Sequence, residues 1–88
     1  MKGLAMLKAK IYVQLKANVL DPQGKAVTNS LHNLGYTDVI ETRISKYIEM
    51  SFRNDNREKV SQEVEKICQD LLANPNTETY HYEIISEE

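Results

Sequence analysis

The sequence predicts an α+β domain whose elements follow the order β-α-β-β-α-β. Three observations predict it: a long alternation of apolar and polar residues near the N-terminus, two stretches with apolar residues at helical spacing, and a second alternating run near the C-terminus. With right-handed crossovers, this order gives a four-stranded antiparallel sheet with both helices on one face, which is the ferredoxin-like arrangement.

The first strand is predicted over residues 7–16. Its apolar side chains fall at every second position, which is typical of a strand with one buried face. Residues 1–6 lack this pattern and are expected to form a loose extension. An 88-residue chain has room for one core, so we expect a single domain over residues 7–88.

The first helix is predicted over residues 22–34. Asp21 is a good N-cap because its carboxylate can accept hydrogen bonds from unpaired N–H groups of the first turn, and Pro22 needs no N–H at the first helical position. Gly35 follows where a left-handed C-cap belongs. Gly24 is unexpected, since glycine within a helix costs about 0.5–1 kcal/mol relative to alanine. Either a tight strand-to-helix corner or close approach of another chain or ligand explains it.

Two further strands are predicted, over residues 39–45 and 46–53. Their expected core residues are Ile40 and Ile44 in the first, and Ile48, Met50 and Phe52 in the second. No Asn-Gly or Asp-Gly pair marks a hairpin between them, so one long bent strand is the alternative.

The second helix is predicted over residues 56–73, because apolar residues recur there at helical spacing. Those residues are Val60, Val64, Ile67, Cys68, Leu71 and Leu72. Asn74 and Pro75 end the helix. Residues 79–85 alternate again and predict the last strand.

Composition excludes several classes of protein. The net charge of −2 argues against nucleic-acid binding, which normally needs a basic excess. No apolar run approaches the ~18–20 residues of a membrane span or the pattern of a signal peptide. The single cysteine, Cys68, allows no disulfide within the chain, which suits a reducing cytoplasm.

No pattern indicates catalysis or metal binding. His32, His81 and Cys68 lack ligand spacing, and Cys68 is expected to be a small core residue. The three glycines are isolated, so no Gly-rich phosphate loop is present. The acidic residues of the second helix are expected to form a solvated surface.

The second face of the predicted sheet is polar and has no helix to cover it. It should carry Lys8, Lys10, Tyr12, Gln14, Lys16, Glu41, Arg43, Tyr47, Glu49 and Arg53. Such a mixture of rings and charges can be solvated or can hold a partner.

Several blocks of the sequence resemble PurS, the small-subunit family of phosphoribosylformylglycinamidine synthase. They are residues 8–16, 19–27 and 31–36, followed at matching distances by 43–49 and 71–75. The Asp-Pro-Gln-Gly block at 21–24 is the most specific. Ser45 departs from a common glycine of the family, and Asn76 and Thr77 depart from apolar residues.

The resemblance implies a non-catalytic subunit that joins a glutaminase subunit to a synthetase subunit and helps ammonia pass between them. It implies no cofactor on this chain, ATP and magnesium on the synthetase, and assembly into a homodimer or homotetramer. The alternative is a small-molecule-sensing regulatory domain of the same topology.

The resemblance and the predicted surface together suggest two groups of partner-contact residues. The first lies on or near the uncovered sheet face and comprises Lys10, Tyr12, Arg43, Lys46 and Tyr47. The second is the strand-to-helix corner, a candidate contact for the synthetase or a second copy, and comprises Asp21, Pro22, Gln23 and Gly24. For the first group, exposure to solvent without a partner is the alternative.

Overall fold

The computed structural model describes residues 6–87, which form a three-stranded antiparallel sheet and two helices. In chain order the elements are β1 (Met6–Leu15), α1 (Pro22–Asn33), β2 (Lys46–Phe52), α2 (Arg57–Ile67) with a π-helical turn (Cys68–Leu72), and β3 (Glu78–Glu87). The strand order is β2-β1-β3, so β1 is central. β1 begins at Met6, the last residue of the predicted extension, and residues 1–5 lie outside the described part.

The predicted four-stranded sheet is wrong, because residues 39–45 form no strand. Backbone groups of this segment bond to side chains of the first helix region instead of to a neighbouring strand. The Ile44 N–H donates to the Asp21 carboxylate, and the Val39 carbonyl accepts from His32. Backbone groups that already have partners have no need of a strand ladder. The long bent strand is also wrong, since β2 begins at Lys46.

The core lies between β1 and α2. The buried side chains are Leu7, Ala9, Ile11 and Val13 from β1, with Val60, Val64, Cys68 and Ala73. This confirms the alternation predicted for the first strand and the core position of Cys68. The predicted inward residues of β2, Ile48, Met50 and Phe52, are partly buried against this core. We call this side of the sheet the covered face and the opposite side the open face.

Helix α1 is not packed on the sheet, so the prediction of two helices on one face is also wrong. It makes only marginal contact with the sheet and with α2. The predicted core residue Ile40 is accordingly 92% exposed, and Leu34, directly after α1, is 73% exposed. Ile44 is also exposed. We call residues 16–45 the α1 arm.

The helix boundaries largely agree with the sequence. Asp21 caps α1, Asn56 caps α2, and Gly35 has a φ of 101° directly after the end of α1. Leu71 is the exception to the predicted apolar stripe of α2, because it is 79% exposed. It lies in the π-helical turn, whose wider hydrogen-bonding pattern changes the phase of the helix and turns this side chain outwards.

Two leucine-to-alanine substitutions test where the core lies. Leu7→Ala removes a buried side chain from β1 and should lower the free energy of unfolding by about 2–5 kcal/mol. Leu71→Ala, the matched control, should change it by no more than about 0.5 kcal/mol. Urea denaturation followed by circular dichroism measures both. Equal losses would contradict the assignment of the core.

Candidate functional site

One carboxylate holds the α1 arm together. Asp21 is 7% exposed, and its two oxygens accept from different parts of the chain. Oδ1 accepts from the Gly24 N–H at 2.9 Å, and Oδ2 accepts from the Ile44 N–H at 2.8 Å. The bond from Ile44 is the largest cause of a lowered pKa of Asp21, followed by the bond from Gly24. The nearby charge of Arg43 lowers this pKa further. Asp21 therefore caps α1 and fixes residues 39–45 against it.

The same contact explains the glycine at position 24. A Cβ atom placed on Gly24 would lie 1.9 Å from the backbone oxygen of Thr42, far too close for any side chain. One helical turn later, the Thr28 hydroxyl donates to the Thr42 hydroxyl at 2.8 Å. The sequence left open a tight strand-to-helix corner or the approach of another chain or ligand, but the backbone that approaches Gly24 is that of Thr42 in the same chain.

Arg43 is also engaged within the arm. Its guanidinium donates to the backbone oxygens of Lys16 at 2.8 Å and Val19 at 3.2 Å, and more distantly to that of Leu15. It also lies 3.6 Å from the Glu41 carboxylate. Arg43 thus connects residues 39–45, through its hydrogen bonds, to the loop that follows β1. We call residues 21–24 together with 42–44 the Asp21 corner.

An open cavity of about 550 Å³ lies beside the Asp21 corner, between α1 and residues 40–43. Polar side chains line it from α1, among them Lys25, Asn29 and His32, and apolar ones come from Leu20 and Ile40. His32 Nε2 lies 2.6 Å from the backbone oxygen of Val39 and donates to it. The cavity therefore combines hydrogen-bonding groups with exposed apolar surface.

The open face of the sheet carries a row of three rings across all three strands. Tyr12 of β1 lies between Tyr47 of β2, at 5.0 Å between ring centroids, and His81 of β3, at 4.7 Å. The Tyr47 hydroxyl donates to Glu49, and this bond raises the pKa of Tyr47 to about 12. Lys8 Nζ lies 3.4 Å from the same carboxylate. Aromatic rings such as these are enriched at protein interfaces.

The two lysines among the predicted contact residues lie on opposite faces. Lys10 pairs in register with Glu49 and lies on the open face. Lys46 pairs with Val13, whose side chain is buried on the covered face, and its Nζ lies 3.9 Å from Glu78. Strand alternation therefore separates Lys46 from the ring row.

The nine predicted contact residues thus fall into separate places. The open face holds Lys10, Tyr12 and Tyr47. The Asp21 corner holds Asp21, Pro22, Gln23, Gly24 and Arg43. Lys46 belongs to neither group, because it lies on the covered face of the sheet. Pro22 and Gln23 are exposed, whereas Asp21 and Gly24 are buried.

A polar cluster between α2 and β3 escaped the sequence analysis, which placed Glu65 on a solvated surface. Its carboxylate accepts from the hydroxyls of Tyr80 and Tyr82 and from the Gln69 amide. The bonds from the two tyrosines are the main cause of the lowered pKa of Glu65. One sequence feature could have revealed this cluster: Tyr80 and Tyr82 lie on the inward side of a predicted strand, and buried tyrosine hydroxyls normally need a hydrogen-bond partner.

Residues 6–87 hold no cluster of three or more His, Cys, Asp or Glu residues that could bind a metal ion. Cys68 is buried, and this burial raises the pKa of its thiol, so the reactive thiolate is disfavoured. Within the same residues, no helix has both the length and the apolar character to cross a membrane.

The sequence profile of PurS, described as phosphoribosylformylglycinamidine (FGAM) synthase, matches residues 8–86. The chain belongs to the PurS family. The Bacillus subtilis (strain 168) phosphoribosylformylglycinamidine synthase subunit PurS is 44% identical over 79 residues, which are 90% of this chain and 93% of that protein.

Solved PurS structures share the fold. The crystal structure of Methanocaldococcus jannaschii PurS, a subunit of formylglycinamide ribonucleotide amidotransferase in the purine biosynthetic pathway, has a TM-score of 0.83 and 36% identity, and covers 93% of this chain and 99% of that one. A chain of the PurLQS structure from Thermotoga maritima has a TM-score of 0.81 and 32% identity, and covers 91% of this chain and 98% of that one.

Gly24→Ala tests the Asp21 corner. The new Cβ would collide with the backbone oxygen of Thr42, so residues 39–45 must move away from α1. The Ile44 amide should then lose at least about tenfold of its protection from hydrogen exchange, measured by NMR, while the amides of β1 keep theirs. The neighbouring exposed substitution Lys25→Ala is the control. An unchanged Ile44 amide in Gly24→Ala would contradict the contact.

The lowered pKa of Asp21 predicts a pH dependence of the same contact. A depressed pKa in the folded state means that the stabilisation is present above the unfolded pKa of about 3.9 and is lost as the pH falls through the folded value. The NMR shift of the Ile44 amide should therefore stay constant from pH 7 to about pH 4 and change only below that.

Asp21→Asn provides the control for this titration. The substitution places an NH₂ group against one of the two backbone N–H donors, so one hydrogen bond should already be lost at pH 7 and the acid transition should disappear. A variant that keeps the transition would show that another group causes it.

Proposed function

We propose that this chain is the small, non-catalytic assembly subunit of phosphoribosylformylglycinamidine synthase. It would join the glutaminase subunit to the synthetase subunit and assist the passage of ammonia between them. The observation that carries the proposal is the match, over nearly the whole of both chains, to a chain of the PurLQS structure from T. maritima. The reaction converts formylglycinamide ribonucleotide, glutamine and ATP to formylglycinamidine ribonucleotide, glutamate, ADP and phosphate.

The surfaces of the chain suit such a role. Ammonia is readily protonated in water, so its transfer between subunits needs interfaces that exclude solvent. A subunit that closes such an interface needs complementary surface and no reactive group of its own. The open face offers the row of Tyr12, Tyr47 and His81, and β2 and β3, the outer strands of the described sheet, offer edges of the kind to which a partner's strand can add.

The remaining parts of the proposal concern the setting of the complex. ATP and magnesium are expected on the synthetase subunit, the complex is expected in the cytoplasm, and this chain is expected to self-associate as a dimer or tetramer.

A ligand-sensing regulatory domain is the second candidate, and the cavity of about 550 Å³ beside the Asp21 corner favours it. Saturable binding of an amino acid or nucleotide by the isolated chain, measured by calorimetry, would support that alternative.

Reconstitution tests the assembly role. Glutaminase and synthetase subunits should give glutamine-dependent synthesis only when this chain is added, whereas synthesis from added ammonia should proceed without it, because free ammonia needs no transfer between subunits. Glutamine-dependent synthesis at the full rate in the absence of the chain would contradict the proposal.

A charge reversal tests whether the open face is the contact. Lys10→Glu should raise the concentration of the chain that half-restores glutamine-dependent synthesis by about tenfold, since misplaced like charges at an interface weaken binding. Lys66→Glu is the matched control, because Lys66 of α2 is exposed away from that face. Equal effects of the two variants would exclude a specific role for the open face.

A further inference from the structure

Hydrogen bonds at the two ends of β3 show which of its backbone groups point to the outer edge of the sheet. The Arg57 guanidinium donates to the Ile84 carbonyl at 2.6 Å and to the Ser86 hydroxyl at 3.2 Å, and Arg57 belongs to α2. The Glu78 N–H donates to the Asn74 carbonyl at 2.7 Å. The backbone groups of residues 78 and 84 are therefore turned away from β1.

Strand geometry extends this direction to the residues between them. In an antiparallel strand, the N–H and C=O of one residue point to the same side, and the side alternates from each residue to the next. The backbone groups of Tyr80 and Tyr82 thus point outwards as well, whereas those of His81 and Glu83 point to β1. Within residues 6–87, no group from outside the sheet bonds to the backbone of Tyr80 or Tyr82. The chain itself engages both ends of this edge, and residues 80–82 form the section open to a partner.

The side chains that this section presents on the open face have neighbours on their inner side only. His81 stacks on Tyr12 of β1 at 4.7 Å, and no other ring of the described residues stacks on it from the outer side. Glu83 lies opposite Lys10 but forms no ion pair in the part of the chain that the structure describes. Both side chains are exposed. The outer edge therefore presents a ring and a carboxylate two positions apart.

The neighbouring strand β1 shows which residues fit beside this pair. On the inner side of β3, Tyr12 lies opposite His81 and Lys10 lies opposite Glu83. An antiparallel strand added on the outer side would place its own residues beside the same two side chains. They would be non-hydrogen-bonded positions, where side chains of neighbouring strands lie closest. A basic residue followed two positions later by an aromatic residue is therefore complementary to this edge.

A second copy of this chain has no free segment with that pattern. In the whole sequence, lysine or arginine precedes an aromatic residue by two positions only at Lys10-Ile11-Tyr12. These residues lie in β1, which already pairs with both other strands. The segment must therefore come from a different protein.

We propose that the outer edge of β3, at residues 80–82, binds an extended segment of one of the larger subunits as an added antiparallel strand. The segment carries lysine or arginine opposite Glu83 and an aromatic residue opposite His81. Backbone hydrogen bonds provide its affinity, and the two side-chain contacts provide its specificity. The proposal rests on the proposed function, because it takes the partner from the same complex.

Hydrogen exchange tests the added strand directly. The isotope-labelled chain is exchanged in D₂O, alone and in the reconstituted complex, and NMR measures its amides after the complex is dissociated. In the complex, the amides of Tyr80 and Tyr82 should exchange at least about tenfold more slowly, because the added strand bonds to this edge. Reconstitution with either larger subunit alone identifies the one that carries the segment.

Two results of this experiment would overturn the proposal. Unchanged exchange at Tyr80 and Tyr82 would mean that partners bind a face of the sheet or another part of the chain. Slower exchange of every amide by the same factor would mean that binding stabilises the whole fold without adding a strand here.

A charge reversal gives an independent readout. Glu83→Lys should raise the dissociation constant for the subunit that carries the segment by about tenfold, since it places like charges across the edge. Glu63→Lys is the matched control, because Glu63 is exposed on the opposite side of α2 from Ser61 and Glu65, which contact Tyr82 of β3. Circular dichroism confirms the fold of both variants. Equal dissociation constants for the two variants would overturn the proposal.

The failure of this proposal can be told apart from the failure of the assembly role. A chain that is required for glutamine-dependent synthesis but gains no protection at residues 80 and 82 would overturn the added strand alone. Protection at these residues, together with full synthesis in the absence of the chain, would overturn the assembly role alone.

Discussion

The Asp21 carboxylate accepts hydrogen bonds from two backbone N–H groups that lie 20 residues apart in the chain. The bond from Gly24 caps the first turn of α1, and the bond from Ile44 holds residues 39–45 against that helix. Gly24 makes this possible, because a side chain at that position would overlap the Thr42 backbone. The position of α1 away from the sheet, and the absence of a fourth strand from the described residues, both follow from this contact.

The chain therefore has two parts with different packing. The sheet and α2 share a core whose central side chains are fully buried, among them Ile11, Val60 and Val64. The α1 arm is held mainly by hydrogen bonds of side chains to the backbone, and it leaves Leu20, Leu34 and Ile40 exposed. A chain built this way presents surface on the arm, on the open face and at two strand edges. That distribution fits a protein that works by contact with larger neighbours.

The sequence predicted the elements whose signals are local. The alternation of residues 7–15, the Asp21-Pro22 start of α1 and the apolar stripe of α2 each lie within one short window. The strand predicted over residues 39–45 was wrong because Ile40 and Ile44 imitate strand alternation, whereas the backbone of this segment bonds to side chains of the α1 region. Val39 bonds to His32, seven residues earlier, and Ile44 bonds to Asp21, 23 residues earlier. At the Asp21 corner, the N-cap role of Asp21 was predicted correctly and Gly24 was recognised as unusual, but their link to residues 42–44 has no sequence signature. The role of the Glu65 carboxylate in α2 was missed because its tyrosine partners lie on β3, 15 and 17 residues further along the chain.

The account depends most on the bond between the Asp21 carboxylate and the Ile44 amide, and NMR can observe that bond directly. In the isotope-labelled chain at neutral pH, we expect a scalar coupling across the hydrogen bond between the Ile44 amide nitrogen and the Asp21 side-chain carboxyl carbon. Nuclear Overhauser contacts between Gly24 and Thr42 should accompany it. Absence of both signals, with contacts between α1 and the sheet of the same chain in their place, would contradict the account.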